Sequence, residues 1–87
     1  MKTEFQRLYI KDFEKLSEKL KEKILGIIKN VIEANSLNEI DNLKKLAGYV
    51  NAYRIKIGDY RIGIVVIENT IVFVRVKHRK DIYKLFP

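Results

Sequence analysis

The chain divides into a stretch with helical spacing and a stretch that alternates. From Lys11 to Asn35 the apolar positions Phe13, Leu16, Leu20, Ile24, Ile28 and Val31 recur at steps of three or four, which gathers them on one buried stripe of amphipathic helix. Run as a single helix, this segment would be ~36 Å long at the usual rise per residue, awkward for so short a chain. The pattern therefore predicts a helical hairpin broken near Leu20–Lys23. Its outward positions Lys11, Glu14, Lys15, Glu18, Lys19 and Glu22 alternate in sign, a solvated face whose pairs contribute ~0.2–0.5 kcal/mol each. Ahead of it, residues 4–10 mix β-formers with polar positions and predict a short strand. Beyond it, a polar connection leads through residues 43–49 to Ala52–Ile57, Tyr60–Ile67 and Ile71–Lys77, which predict three strands. Gly58-Asp59 is a two-residue hairpin loop, because Gly accepts the positive φ such turns require. Glu68-Asn69-Thr70 makes the second turn, and Lys80–Lys84 a short helical turn. The order is β-α-α-β-β-β, an α+β fold: a helical hairpin packed on one face of a mainly antiparallel sheet, with a short C-terminal helical turn.

The Gly58-Asp59 loop dictates a register. Ile57 falls opposite Tyr60, Lys56 opposite Arg61, Ile55 opposite Ile62 and Arg54 opposite Gly63. One face then carries Tyr53, Ile55, Ile57, Tyr60, Ile62 and Ile64 toward the helices. A three-residue second loop sets Gly63 opposite Arg75 and Arg61 opposite Lys77, and adds Val72, Val74 and Val76 to the core face. The other face gathers Arg54, Lys56, Arg61, Arg75 and Lys77, with Gly63 leaving a gap beside Arg54.

Charge sharpens this picture. Of the net charge of +7, none comes from residues 1–42, where bases and acids balance; residues 43–87 hold ten Lys/Arg against Asp59, Glu68 and Asp81. Like charges facing each other across strands oppose folding, so a basic face uninterrupted by acid implies a polyanionic partner, nucleic acid first. Arg grips phosphate oxygens bidentately. Lys44 and Lys45, before the sheet, extend the surface available for phosphate contacts, as do Arg75, Lys77 and Lys80.

The remaining composition narrows the classes. At 87 residues, 47% of them hydrophobic, the chain is one domain spanning 1–87 whose core buries only roughly 60–65% of its unfolded surface. It contains no Cys and one His, which leaves no disulfide framework and no metal-ligand cluster of sensible spacing. No cofactor is implied. Met-Lys-Thr-Glu lacks the apolar run of a signal peptide, and no stretch is long enough to span a bilayer; a soluble, cytoplasmic protein is expected. Acid–base candidates cluster near the end, in Lys77-His78-Arg79-Lys80-Asp81-Ile82-Tyr83. His78 titrates near neutrality when unperturbed, and on one helical turn Arg79 and Tyr83 would share a face. A lone His and a single Tyr are more often structural than catalytic, and spacing alone does not make this an enzyme.

Three segments carry a resemblance: Leu46-Ala47-Gly48-Tyr49, then Tyr53-Arg54-Ile55-Lys56-Ile57-Gly58-Asp59-Tyr60-Arg61-Ile62, then Val76-Lys77-His78-Arg79-Lys80-Asp81-Ile82-Tyr83. In this order and spacing they resemble the RelE/ParE superfamily, the toxins of type II toxin–antitoxin pairs, over nearly the full length. The resemblance implies a compact β-α-α-β-β-β fold and, for the RelE branch, a metal-independent endoribonuclease that cuts messenger RNA in the ribosomal A site. By motif, Arg54 and Lys56 match the family's basic pair, Arg61 the Arg of its Tyr-Arg, Arg79 the Arg near the end of the last strand, and Tyr83 the Tyr closing the functional segment. The implied roles are a base for the ribose 2′-hydroxyl, arginines for the phosphorane-like transition state, and a proton donor to the leaving 5′-oxygen. Lys56 serves as base only if the charges of Arg61 and Lys77 favour its neutral form; His78 is the rival. The implied partners are a cognate acidic antitoxin, in a hetero-oligomer, and mRNA on the ribosome, with no membrane. The ParE branch supplies the alternative, DNA gyrase inhibition, and a non-catalytic nucleic-acid-binding domain is a third reading.

Overall fold

A computed structural model describes all 87 residues. The order is β1 (Lys2–Phe5), α1 (Arg7–Glu14), α2 (Glu18–Glu33), a 3-10 turn (Leu37–Glu39), β2 (Leu43–Lys45), β3 (Ala52–Ile57), β4 (Tyr60–Ile67), β5 (Thr70–His78) and α3 (Ile82–Leu85). One sheet takes the order β1-β5-β4-β3-β2, with β1 parallel to β5 and every other pair antiparallel. The α+β class and the hairpin of helices on one sheet face are as the periodicity predicts. The longest dimension is 30 Å, which is why a ~36 Å helix could not be housed.

The break falls earlier than Leu20–Lys23. The Ser17 hydroxyl accepts the Leu20 amide at 3.2 Å, an N-cap that starts α2 with Glu18 in its first turn. Residues 4–10 are likewise not one strand: β1 ends at Phe5 and α1 begins at Arg7. Phe5 stacks on Phe73 at 4.9 Å and Tyr9 meets Phe73 at 5.4 Å, so the aromatics favour a strand-to-helix corner around one buried ring. The α-amino group of Met1 donates to the carbonyls of Val31, Ile32 and Ala34, satisfying acceptors left open at the end of α2. β2 is an additional strand; three residues are too few to show a period.

Ala52–Ile57 and Tyr60–Ile67 form as the sequence predicts, in the predicted register. The second turn does not. Glu68 and Asn69 alone make it, both at positive φ (47° and 65°), and Ile67 pairs with Thr70 rather than Ile71. A bulge then inserts Val74 between Phe73, opposite Ile64, and Arg75, opposite Gly63. The shorter turn and the extra residue offset each other, so Arg75 and Lys77 stand where expected. Val72 and Val74 do not. Ile71, Phe73 and Val76 join Tyr9, Ile24, Val31, Ile55, Ile62 and Ile64 in the helix-side core. Val74 instead packs on the opposite face with Ala52, Leu46, Val65, Ile82 and Phe86.

That opposite face is therefore partly roofed. The gap at Gly63 is filled: a Cβ there would lie 2.5 Å from Phe86 Cδ2 and 2.6 Å from its Cγ. Gly63→Ala is expected to cost ~1–3 kcal/mol by overpacking, measured by denaturant unfolding, with the cost absent in a Phe86→Ala background. An equal cost in both backgrounds would show that the ring is not the obstacle.

Candidate functional site

Strand alternation and register build the basic surface in two rows. Lys44, Arg54, Gly63 and Arg75 align across β2, β3, β4 and β5; Lys56, Arg61 and Lys77 align one step nearer the Gly58-Asp59 hairpin. No acid stands in either row. The counter-charge comes instead from α1.

Asp12 is 6% exposed. Its carboxylate accepts the Arg75 guanidinium at 2.7 and 3.2 Å, the Val76 amide at 3.2 Å, and lies 3.2 Å from Lys77 Nζ. β1 pairs only with Thr70–Phe73, so the lower half of β5 is a free edge whose Val76 N–H Asp12 satisfies. Burial pushes the Asp12 carboxyl up, but the hydrogen bonds from Arg75, Lys77 and Val76, with the Arg75 charge, outweigh it and hold the group below the usual carboxylate range. Two cations of the surface are thus tied down at one end of their rows. Asp12 falls three residues after Tyr9, on the same buried stripe of α1; that position was the one available signal.

The other cations are differently held. Lys56 is exposed and makes no ion pair. Arg61 donates from one guanidinium nitrogen to the carbonyls of Gly58 and Tyr60, at 2.8 and 2.9 Å, which folds it over the hairpin. Arg79 donates its backbone N–H to the Asp59 carbonyl at 2.7 Å, and its exposed guanidinium stands 3.9 Å from the Asp59 carboxylate. The hairpin thereby brings Arg61 and Arg79 to the same end of the sheet. Arg54 reaches the Asn42 carbonyl at 3.4 Å.

Four of the candidates, His78, Lys45, Tyr83 and Lys80, fall elsewhere. His78 pairs with Tyr60, a core-side position, so it stands on the helix side of the sheet, away from Lys56 and Arg61. Its Nδ1 accepts the Lys80 amide at 3.2 Å, which leaves the proton of the neutral ring on Nε2 and makes that nitrogen a donor. Lys45 pairs with Tyr53 and so also faces the helix side, whereas Lys44 faces the basic rows. Arg79 and Tyr83 do not share a helical turn, because α3 begins only at Ile82. Tyr83 is 55% exposed beside the buried anchor Ile82. Lys80 is exposed at the turn before it. Nowhere do three His, Cys, Asp or Glu side chains converge as potential metal ligands, and no helix is long and apolar enough to cross a membrane.

Comparison with known proteins adds an independent line. Residues 3–83 match the family described as ParE toxin of type II toxin–antitoxin system, parDE. Toxin RelE3 of Methanocaldococcus jannaschii is 44% identical, with 100% of both chains covered. Among solved structures, the RelB–RelE antitoxin–toxin complex of Methanococcus jannaschii superposes with a TM-score of 0.83 at 43% identity, covering 97% of this chain and 99% of the other. The archaeal RelE–RelB complex of Pyrococcus horikoshii superposes at 0.74 with 21% identity, covering 90% and 93%, a likeness of fold.

Proposed function

Because the chain belongs to the RelE/ParE family of toxins from type II toxin–antitoxin systems, we propose that it is a RelE-type toxin that cleaves messenger RNA without a metal, in the ribosomal A site. The observation that carries this reading is the row Lys56–Arg61–Lys77, continued by Arg79 at the hairpin end. Cleavage of an RNA phosphodiester adds negative charge at phosphorus, and fixed cations stabilise it without reorganising. The ribose 2′-oxygen gives up its proton and attacks phosphorus; the bond to the 5′-oxygen breaks, and that oxygen takes a proton. The products are a 2′,3′-cyclic phosphate and a 5′-hydroxyl. Lys56, free of ion pairs on this face, is the base in this reading, and His78, with its proton on Nε2 and on the other side of the sheet, is not. Arg61 and Arg79 stabilise the transition state, Arg54 binds the adjoining phosphate, and exposed Tyr83 serves the leaving oxygen or orients the strand.

The test is incubation with translating ribosomes followed by primer extension, which reads discrete new 5′ ends in the message. Inhibition of gyrase supercoiling with the message intact would replace this reading with the ParE-type one. Binding to RNA with neither outcome would leave a non-catalytic module.

The 43%-identical relative is the toxin of a complex with the antitoxin RelB. By that likeness and the net charge of +7, this chain pairs with an acidic antitoxin in a hetero-oligomer. Complementary charge acts mainly on association rate, so the complex is expected to survive purification through a tag on either protein while forming more slowly as salt rises. Recovery of the tagged chain alone at every salt concentration would contradict this.

A further inference from the structure

On the helix side of the sheet, at the end nearest the hairpin, lies a recess of about 200 Å³. Its walls include Tyr60 and His78 from β4 and β5, Lys15 from the end of α1, and Lys77 and Asp81. We propose that it is a binding site for one unpaired RNA base that carries an exocyclic amino group. The site rests on the reading of this protein as an RNA-acting toxin, and it adds a source of base preference that the phosphate-directed rows cannot supply, since phosphate contacts carry no sequence information.

Size and lining point to a base. The volume falls below the range of drug-sized pockets and suits a planar ring rather than a whole nucleotide. Tyr60 and His78 meet edge to face, at 5.5 Å between centroids and 75° between planes, so the pair offers both an aromatic face and an aromatic edge to a third ring. Aromatic walls of this kind are how proteins hold splayed-out RNA bases.

The hydrogen-bond inventory narrows which base. With Nδ1 engaged by the Lys80 amide, the His78 ring presents an N–H donor. Asp81 lines the same recess as an acceptor-only carboxylate. It makes no ion pair, although Lys80, Arg79 and Lys84 are its chain neighbours and the whole protein carries +7. It precedes α3 but makes no side-chain cap bond. Asp12, the other acid on the wall, is consumed by Arg75, Lys77 and Val76. A free carboxylate beside phosphate-seeking cations weakens binding to any polyanion. It has a use where it accepts an amino group, as Asp and Glu accept the exocyclic amine of cytosine. Guanine, adenine and cytosine carry such a group and uracil does not. The recess opens at the free edge of β5, which the Lys77 side chain crosses from the basic rows to reach Asp12, so a strand lying on Arg61 and Arg79 that turns over this edge brings a base to it.

The experiment is a binding series with the full chain and short single-stranded RNAs, 2′-O-methylated throughout to block cleavage. They differ at one position only, carrying G, A, C or U, and are read by fluorescence anisotropy. The parent protein is expected to bind the amino-bearing strands ~10-fold more tightly than the uracil strand, within what one base-edge hydrogen-bonding contact discriminates. Asp81→Asn, which can still accept through one oxygen but now also donates, is expected to collapse that ratio to within ~2-fold while raising affinity for every strand, because a negative charge has gone. Substituting guanine by hypoxanthine, which lacks only the amino group, should reproduce the loss in the parent and change nothing in Asp81→Asn. An unchanged ratio in Asp81→Asn, with affinity raised uniformly, would overturn the site while leaving the RNA reading intact. So would a parent that binds all four strands equally. A parent that binds none of them would also overturn this site, whereas the RNA reading is decided separately by primer extension on translating ribosomes.

Discussion

Arg61→Ala and Arg79→Ala are each expected to lower the single-turnover rate of message cleavage by ~10²–10³-fold, with the fold unaffected. Each guanidinium is exposed or half-buried and contacts only backbone carbonyls or a carboxylate 3.9 Å away, so its removal leaves no cavity and no orphaned buried charge. What goes is a donor held in place before the reaction begins. Arg61 is the sharper test, because the Gly58 and Tyr60 carbonyls pin its position. Arg61→Lys keeps the charge without the fork and is expected to recover only part of the rate. The same chemistry requires the ribose hydroxyl: a single 2′-deoxy substitution at the scissile nucleotide should abolish cutting at that bond. Single-turnover kinetics with sequencing of the cut ends measures both. Undiminished cleavage of the deoxy-substituted message would sink the mechanism, and full activity of both arginine variants would sink the site.

Asp12→Ala is expected to be the most destabilising substitution at any charged position. The carboxylate is buried against Arg75, whose side chain is 14% exposed, and removing one member of a buried pair leaves the other uncompensated at ~3–5 kcal/mol. Here the Val76 amide at the open edge of β5 loses its acceptor as well. The lower end of that range already implies a fall in Tm of roughly 12 °C or more for a domain of this length. Asp12→Asn, which still offers the Val76 amide an oxygen, should lose less. The pH dependence follows from the sign of the shift. The folded carboxyl titrates below its unfolded value, so its contribution is complete above the unfolded value, ~4, and disappears as pH falls through the folded one. The stability gap between the parent and Asp12→Ala should therefore be widest near neutrality and narrow as pH drops below ~4. Urea unfolding at a series of pH values reads this directly; a gap independent of pH would mean that the destabilisation is not electrostatic.

The strand hairpin Ala52–Ile67 was legible because everything that specifies it is local. Gly58-Asp59 sets a two-residue turn, period-2 alternation sets the faces, and pairing follows from both. The cationic rows followed from the same rule, with Arg75 and Lys77 reaching their places through a shorter turn and a bulge that together preserve the register. The end of α1 was less legible. Ser17 caps α2, but Ser is common in loops and the apolar stripe runs on through the break.

What only the tertiary structure decided concerns groups brought together from distant parts of the chain. Asp12 and Arg75 are 63 residues apart, and nothing in the spacing of an amphipathic helix says that its one buried acid will meet a bare strand edge. Phe86 filling the gap over Gly63 is of the same kind. Periodicity and turn chemistry are properties of neighbouring residues, so the chain by itself determined the class, the central hairpin and the sign of its exposed face. Which charges on that face are neutralised, and which remain free to meet a phosphate, depends on how α1 meets the open edge of β5 and how the C-terminal segment packs over the face.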